Sequence, residues 1–193
     1  MNLFLLDSLL GDALYLGTFI IVFFIFGFIA FVLKMYKKVA PGEAIVRTGL
    51  GNIKTSFSGI FVFPVIHQME RMNITLKKVI ISRQGKEGLI CMDNLRADIQ
   101  VTFFIRVNSE SVAVAKVATA IGCKRASDPK ALIELFDAKF SEALKTVGRQ
   151  FNYVELYNSR DTFNARIKTE IGTDLNGYVL DDCAIDYLEQ TSV

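Results

Sequence analysis

The sequence predicts an α+β body carried behind one membrane-crossing helix, on three observations. Ala13 to Leu33 contains no charged residue, and Ala97 to Val107 alternates apolar with polar side chains. From Val112 onward apolar residues recur at helical spacing until a last strand-like stretch begins at Tyr178. The first stretch calls for a membrane and the second is a strand of period two. Helices that follow a run of strands belong to α+β folds rather than to alternating α/β ones.

The uncharged stretch is twenty-one residues long, ALYLGTFIIVFFIFGFIAFVL. At about 1.5 Å of rise per residue a helix of this length spans roughly 30 Å, the thickness of a bilayer's hydrocarbon core. Apolar side chains occur all round it, so no stripe remains to face water. Asp7 and Asp12 precede it with no basic residue, whereas Lys34, Lys37 and Lys38 follow it directly. The positive-inside bias then places a short N-terminus, residues 1–12, outside, spans the membrane with residues 13–36, and leaves the rest in the cytoplasm. A cleaved signal peptide would start basic, carry a shorter apolar run and end in a small-residue cleavage site. None of these occurs, so the helix is expected to be retained. Gly17 and Gly27 are too far apart to form a GxxxG contact.

Charge is unevenly spread beyond the anchor. Between Lys34 and Lys86 ten Lys and Arg face only Glu43 and Glu70, while Glu87 to Val193 holds twelve basic and sixteen acidic residues. The basic third adjoins the membrane, where each cation near an anionic leaflet contributes on the order of 1 kcal/mol. Lys34, Lys37, Lys38 and Lys54 are its candidate headgroup contacts. No basic helix or aromatic–basic interleaving points to nucleic acid. Cys91, Cys123 and Cys183 are odd in number and far apart, with no CxxC or Cys/His cluster, so neither a zinc site nor a disulfide framework is indicated. Reduced thiols suit a cytoplasmic domain.

The elements follow in order. Pro41-Gly42 marks a turn, Ala44 to Thr48 reads as a strand, and Gly49-Leu50-Gly51-Asn52 turns it into a hairpin with Ile53 to Phe57. That GxG lacks the third glycine, the following helix and the acidic residue of a dinucleotide site. Ile60 to Ile66 is too short to span a bilayer, and Pro64 keeps it out of a sheet centre. The stretch is either an edge strand of the core or an apolar tip, Ile60, Phe61, Val62 and Phe63, dipping into the membrane. Ile74 to Ser82 reads as a further strand, and Gln84 to Gly88 as a loop. Odd positions from Ala97 to Val107 are all apolar and even ones polar except Phe104, the pattern of a half-buried strand with one wet face.

Val112 to Ile121 reads as a helix stopped at Gly122. Ser127-Asp128-Pro129 starts the next, whose apolar stripe is Leu132, Leu135, Phe136, Phe140, Ala143, Leu144 and Val147, ending near Gly148. A second starts at Ser159, carries Phe163, Ile167, Ile171 and Leu175, and closes at Asn176-Gly177. Tyr178 to Leu188 returns to strand.

In this order the elements resemble the SPFH superfamily of stomatins, prohibitins, flotillins and a bacterial protease-regulating pair. The segments that carry the resemblance are VAPGEAIVRTGLG (39–51), SGIFVFPVIHQMERMNI (58–74), LRADIQVTFFIRVN (95–108) and NSRDTFNARIKTEIGTDLNGYVLDD (158–182). The VRTGLG hairpin and FFIRV strand look most like bacterial flotillin-like inner-membrane proteins. The resemblance implies a membrane-proximal β-rich SPFH subdomain over 39–110 and an α/β SPFH subdomain over 111–190. It also implies a non-enzymatic scaffold without cofactor, built of many copies in a ring or cage. Such a scaffold organises membrane microdomains (lipid rafts) or encloses and regulates membrane proteins such as proteases. A monomeric or dimeric anchored adaptor with a soluble partner is the alternative. Relatives continue into a Glu/Ala-rich coiled coil, an expected element absent from this sequence, which stops at Thr191-Ser192-Val193.

The residues themselves offer no catalytic or metal set. His67 is the single histidine, and nothing in its surroundings presents Cys91 to it as a nucleophile. Asp181 and Asp182, adjacent on a strand, point to opposite faces and read as solvated surface.

Overall fold

The computed structural model describes the backbone of residues 2–49, 51–172 and 175–191, with side chains from Tyr15 onward within those spans. Leu50, Ser192 and Val193 of the expectations above lie outside the described residues, as does the side chain of Ala13. A long helix, α1 (Asn2–Met35), leads into five short strands: β1 (Tyr36–Lys38), β2 (Glu43–Gly49), β3 (Lys54–Ser56), β4 (Gly59–Phe61) and β5 (His67–Asn73). β6 (Lys77–Arg83), β7 (Leu89–Ile90) and β8 (Arg96–Val107) follow. Then come α2 (Ser111–Ile121), α3 (Cys123–Ser127), α4 (Pro129–Gly148), α5 (Tyr153–Asn158), α6 (Arg160–Ile171) and the closing strand β9 (Tyr178–Gln190).

All pairings among these strands are antiparallel. β1 pairs β4, β2 lies between β3 and β5, and β8 carries β6 and β7 on one side and β9 on the other. β8 organises the body because its odd residues, Ala97 to Val107, are all essentially buried. Its other face is only partly wet, contrary to the alternation taken alone: Thr102 is buried and Lys78 sits over the Phe104 ring. Neighbours on both sides narrow what water reaches on that face.

The helices cover the odd face. Asp128 caps α4 by accepting from the Lys130 N–H at 3.0 Å, with Pro129 at the first helical position. Leu132, Phe136, Phe140, Ala143, Leu144 and Val147 are buried, and the Phe103 and Phe140 rings lie 4.3 Å apart. Leu135 is 42 % exposed instead of joining the stripe. At about 100° per residue it falls off the arc that the others share. α6 ends at Ile171 on Gly172 (φ 71°), not at Asn176-Gly177, and Leu175 is buried beyond it in a bridge to Tyr178.

Other boundaries differ too. α1 begins at Asn2, so the helix runs on past the uncharged stretch toward the N-terminus. The strand expected from Ile74 starts at Lys77, because Asn73 Oδ1 accepts from the Thr75 N–H at 2.9 Å and closes a turn there. β1, β5, β7, α3 and α5 have no counterpart in the sequence-based assignment, which places Tyr36 at the end of the membrane helix.

Candidate membrane-facing site

From Tyr15 to Lys34 no described side chain of α1 is buried, and Tyr15–Met35 is long and apolar enough to cross a membrane. So much apolar surface is stable only away from water. The chain leaves this helix through a backbone clamp. Met35 C=O accepts from the Val62 N–H at 3.0 Å, and Ser58 C=O accepts from the Val39 N–H at 3.1 Å. Between them β1 and β4 pair Tyr36 with Phe61, Lys37 with Ile60 and Lys38 with Gly59. The Tyr36 and Phe61 rings stand 5.2 Å apart, and Arg47 Nη1 donates to Phe61 C=O at 2.7 Å. Gly59 makes room for this approach: a Cβ there would lie 2.7 Å from Tyr36 Cζ, so the ring would have to shift.

A tight turn follows β4. Phe63 C=O accepts from the N–H groups of Ile66 (3.0 Å) and His67 (2.8 Å), while His67 Nδ1 accepts from the Phe63 N–H at 3.3 Å. His67 therefore closes a turn. Of the four expected tip residues, Phe61 and Phe63 are exposed (49 % and 44 %), Ile60 is half-buried, and Val62 is 6 % exposed. Val62 is thus not part of the exposed tip: the alternation of an extended chain turns it inward between the two phenylalanines. Val65 (97 %) and Ile66 (48 %) extend the apolar surface instead. Their only signal in the sequence was membership of the same apolar run, and Pro64 obscured it.

Lys34, Lys37, Lys38 and Lys54 are exposed, and none forms an ion pair with a described residue. Lys54 stands opposite Arg47 in the β2–β3 register, so Arg47 joins the cations around the tip.

Elsewhere the reactive side chains are committed. Burial pushes the Cys91 and Cys183 thiols up to about 11 and that of Cys123 to about 12, so they stay protonated at neutral pH. Asp181 accepts from Arg106 Nε and Asp182 pairs with Lys168, on different neighbours as expected of adjacent strand residues. No group of His, Cys, Asp and Glu suited to a metal occurs among the described residues. A cleft of about 720 Å³ between α4 and the loop after β6 is lined by Arg83 and Asp137, which are committed to each other: Arg83 Nη2 donates to both Asp137 oxygens at 2.8 and 2.7 Å.

The model of the SPFH domain / Band 7 family matches residues 37–185. A flotillin family inner membrane protein of Escherichia coli strain K12, YqiK, is 32 % identical over 162 residues, covering 82 % of this chain and 29 % of that protein. A flotillin family inner membrane protein of Synechocystis, sll1021, is 23 % identical over 169 residues, covering 83 % of this chain and 25 % of its own length. The chain thus spans less than a third of either relative. Its mixed α+β body behind one apolar helix, with the strand order and clamp described above, belongs to the SPFH domain / Band 7 family.

Proposed function

We propose that this chain is the membrane-anchored module of a non-enzymatic scaffold. It crosses a bacterial inner membrane once with its N-terminus outside, and many copies assemble on the cytoplasmic face to organise microdomains or to enclose membrane proteins such as a protease. The clamp between the base of α1 and the 58–66 tip carries the reading. If α1 spans, Met35 and Tyr36 sit at the membrane surface, and Val62–Met35 and Tyr36–Phe61 contacts hold Phe61 and Phe63 at that same level. The body then stands on the bilayer on two footings, helix and tip, ringed by Lys34, Lys37, Lys38, Arg47 and Lys54. A fixed stance is what lateral packing of many copies needs, whereas a body on a free tether has no common orientation to share. The flotillin family names of the two relatives, both inner membrane proteins, support the location.

Native mass of the chain in mild detergent tests the assembly. A species of many copies is expected; a monomer or dimer refutes the scaffold and favours an anchored adaptor recruiting a soluble partner through the acidic half. Vesicle binding by a chain lacking residues 1–33 tests the cationic ring. It should weaken as salt rises or anionic lipid is withdrawn, and indifference to both refutes that part.

A further inference from the structure

The largest sheet carries opposite charge on its two edges. β6 brings Lys77, Lys78 and Arg83 to one edge with no carboxylate; β9 brings Asp181, Asp182, Asp186 and Glu189 to the other with no cation. Three ion pairs within the chain absorb part of this: Arg83–Asp137 at 2.7 Å, Arg106–Asp181 at 2.8 Å and Lys168–Asp182 at 2.7 Å. What remains is Lys77 and Lys78 against Asp186 and Glu189. Lys77 Nζ donates to Asn73 C=O at 2.9 Å, and Lys78 lies 5.7 Å from the Phe104 centroid. Asp186 accepts from Thr102 Oγ1, and Glu189 from the Tyr187 hydroxyl at 2.6 Å. None of the four makes an ion pair with a described residue. β8 lies between the two edges, so the two sets do not meet inside one chain. Exposed apolar side chains accompany both: Leu76 (50 %) and Ile80 (49 %) at β6, Tyr187 (38 %) at β9.

We propose that the β6 edge of one copy docks against the β9 edge of the next, a contact between copies that rests on the many-copy reading above. The two surfaces differ and sit on opposite sides of one sheet, so each docked pair still presents one free edge of each kind. Such a heterologous contact repeats, and it closes into a ring when its rotation permits. Side chains rather than main chain carry the recognition. β9 has two register shifts, which leave Asp181 and Asp186 without partners on β8, and bulges with inserted charges blunt an edge against strand addition. The charges are also offset: Lys77 and Lys78 stand opposite Ile105 and Phe104, whereas Glu189 stands opposite Asp98 and Asp186 beside Val101. At ~3.3 Å per residue the neighbouring sheet slides by roughly 10–20 Å along its strands, so the strands lean against the ring axis as they do in a closed barrel.

A charge exchange on the full chain in mild detergent tests the contact. Lys77→Glu with Lys78→Glu makes both edges acidic; Asp186→Lys with Glu189→Lys makes both basic. Each variant alone should lose the large species at least tenfold at equal concentration, and an equimolar mixture should restore it with alternating copies. Folded variants that assemble alone as the unaltered chain does overturn the edge contact and leave the many-copy reading standing, as does a mixture of folded variants that stays dissociated. An unaltered chain that never exceeds a dimer overturns both. Should either variant fail to fold, the unaltered chain decides: its large species is expected to shrink between about 0.05 and 1 M salt, and a mass constant across that range overturns the contact.

Discussion

Removing the two exposed rings of the tip should release the body from lipid without unfolding it. The chain to use lacks residues 1–33 and so begins at Lys34. A cut at Val39 would delete β1 and with it the partner of β4, whereas the core cluster contains no residue before Ala44. Phe61 and Phe63 are 49 % and 44 % exposed. A phenylalanine offers about 200 Å², so each ring leaves about 90 Å² in water. At ~25 cal/mol per Å² the two together gain roughly 4.5 kcal/mol on full transfer to hydrocarbon. Rings resting in the headgroup boundary realise about half of that, which still corresponds to roughly 40-fold in partitioning. Phe61→Ser with Phe63→Ser should therefore lower co-sedimentation with anionic vesicles at least ~30-fold, with circular dichroism and thermal midpoint unchanged. A loss below about threefold would sink the insertion, and a loss of fold would make the rings core. The sequence has no tryptophan, so Phe63→Trp in the full chain supplies a single tryptophan, excited selectively over the tyrosines. Brominated lipid should quench it.

Three further outcomes follow from the packing and the charges. Gly59→Ala drives a methyl group into the Tyr36 ring, so it should loosen the β1–β4 pair and speed amide exchange at Val39 and Val62; exchange as slow as in the unaltered chain would contradict the clamp. Phe103→Ala empties a fully buried site packed against the Phe140 ring and should cost about 3–5 kcal/mol in urea unfolding of the chain lacking residues 1–33; under about 1 kcal/mol would show that β8 is not the core strand. Lys168 beside Asp182 holds that carboxyl below its ordinary value of 3.8 and is itself held above 10.5. The pair's contribution is therefore complete between those values, fades as pH falls below 3.8 and fades again above 10.5. Both groups are well exposed, so Asp182→Asn should cost about 0.5 kcal/mol or less at neutral pH, a difference that disappears in acid; a difference growing in acid would refute the sign.

How far the fold was legible depended on how local its causes are. The anchor, β8 and α4 each declare themselves within their own residues, by an uncharged run, by strict alternation, and by an Asp-Pro start with a regular apolar stripe. β5 (His67–Asn73) did not, because HQMERMN has no long apolar run and exists as a strand through its pairing with β2 along all seven residues. α3 and α5 are single short turns held by contacts with larger elements. The tip shows the same division at a finer scale. Its composition narrowed Ile60–Ile66 to core or membrane, but the same composition describes Phe61, which faces out, and Val62, which faces in.

Composition and period alone thus established an apolar helix long enough to cross a membrane, a strand-first α+β body and a basic segment directly after that helix. These follow from side-chain free energies along short stretches of chain. Which side of the tip faces out, which carboxylates are paired within the chain, and that Lys77 and Lys78 lie on one edge of the largest sheet with Asp186 and Glu189 on the other were set by pairings between residues far apart. Arg47 reaches Phe61, Thr102 reaches Asp186 and Lys168 reaches Asp182 only once the chain has closed, and no local pattern encodes where a distant partner will stand.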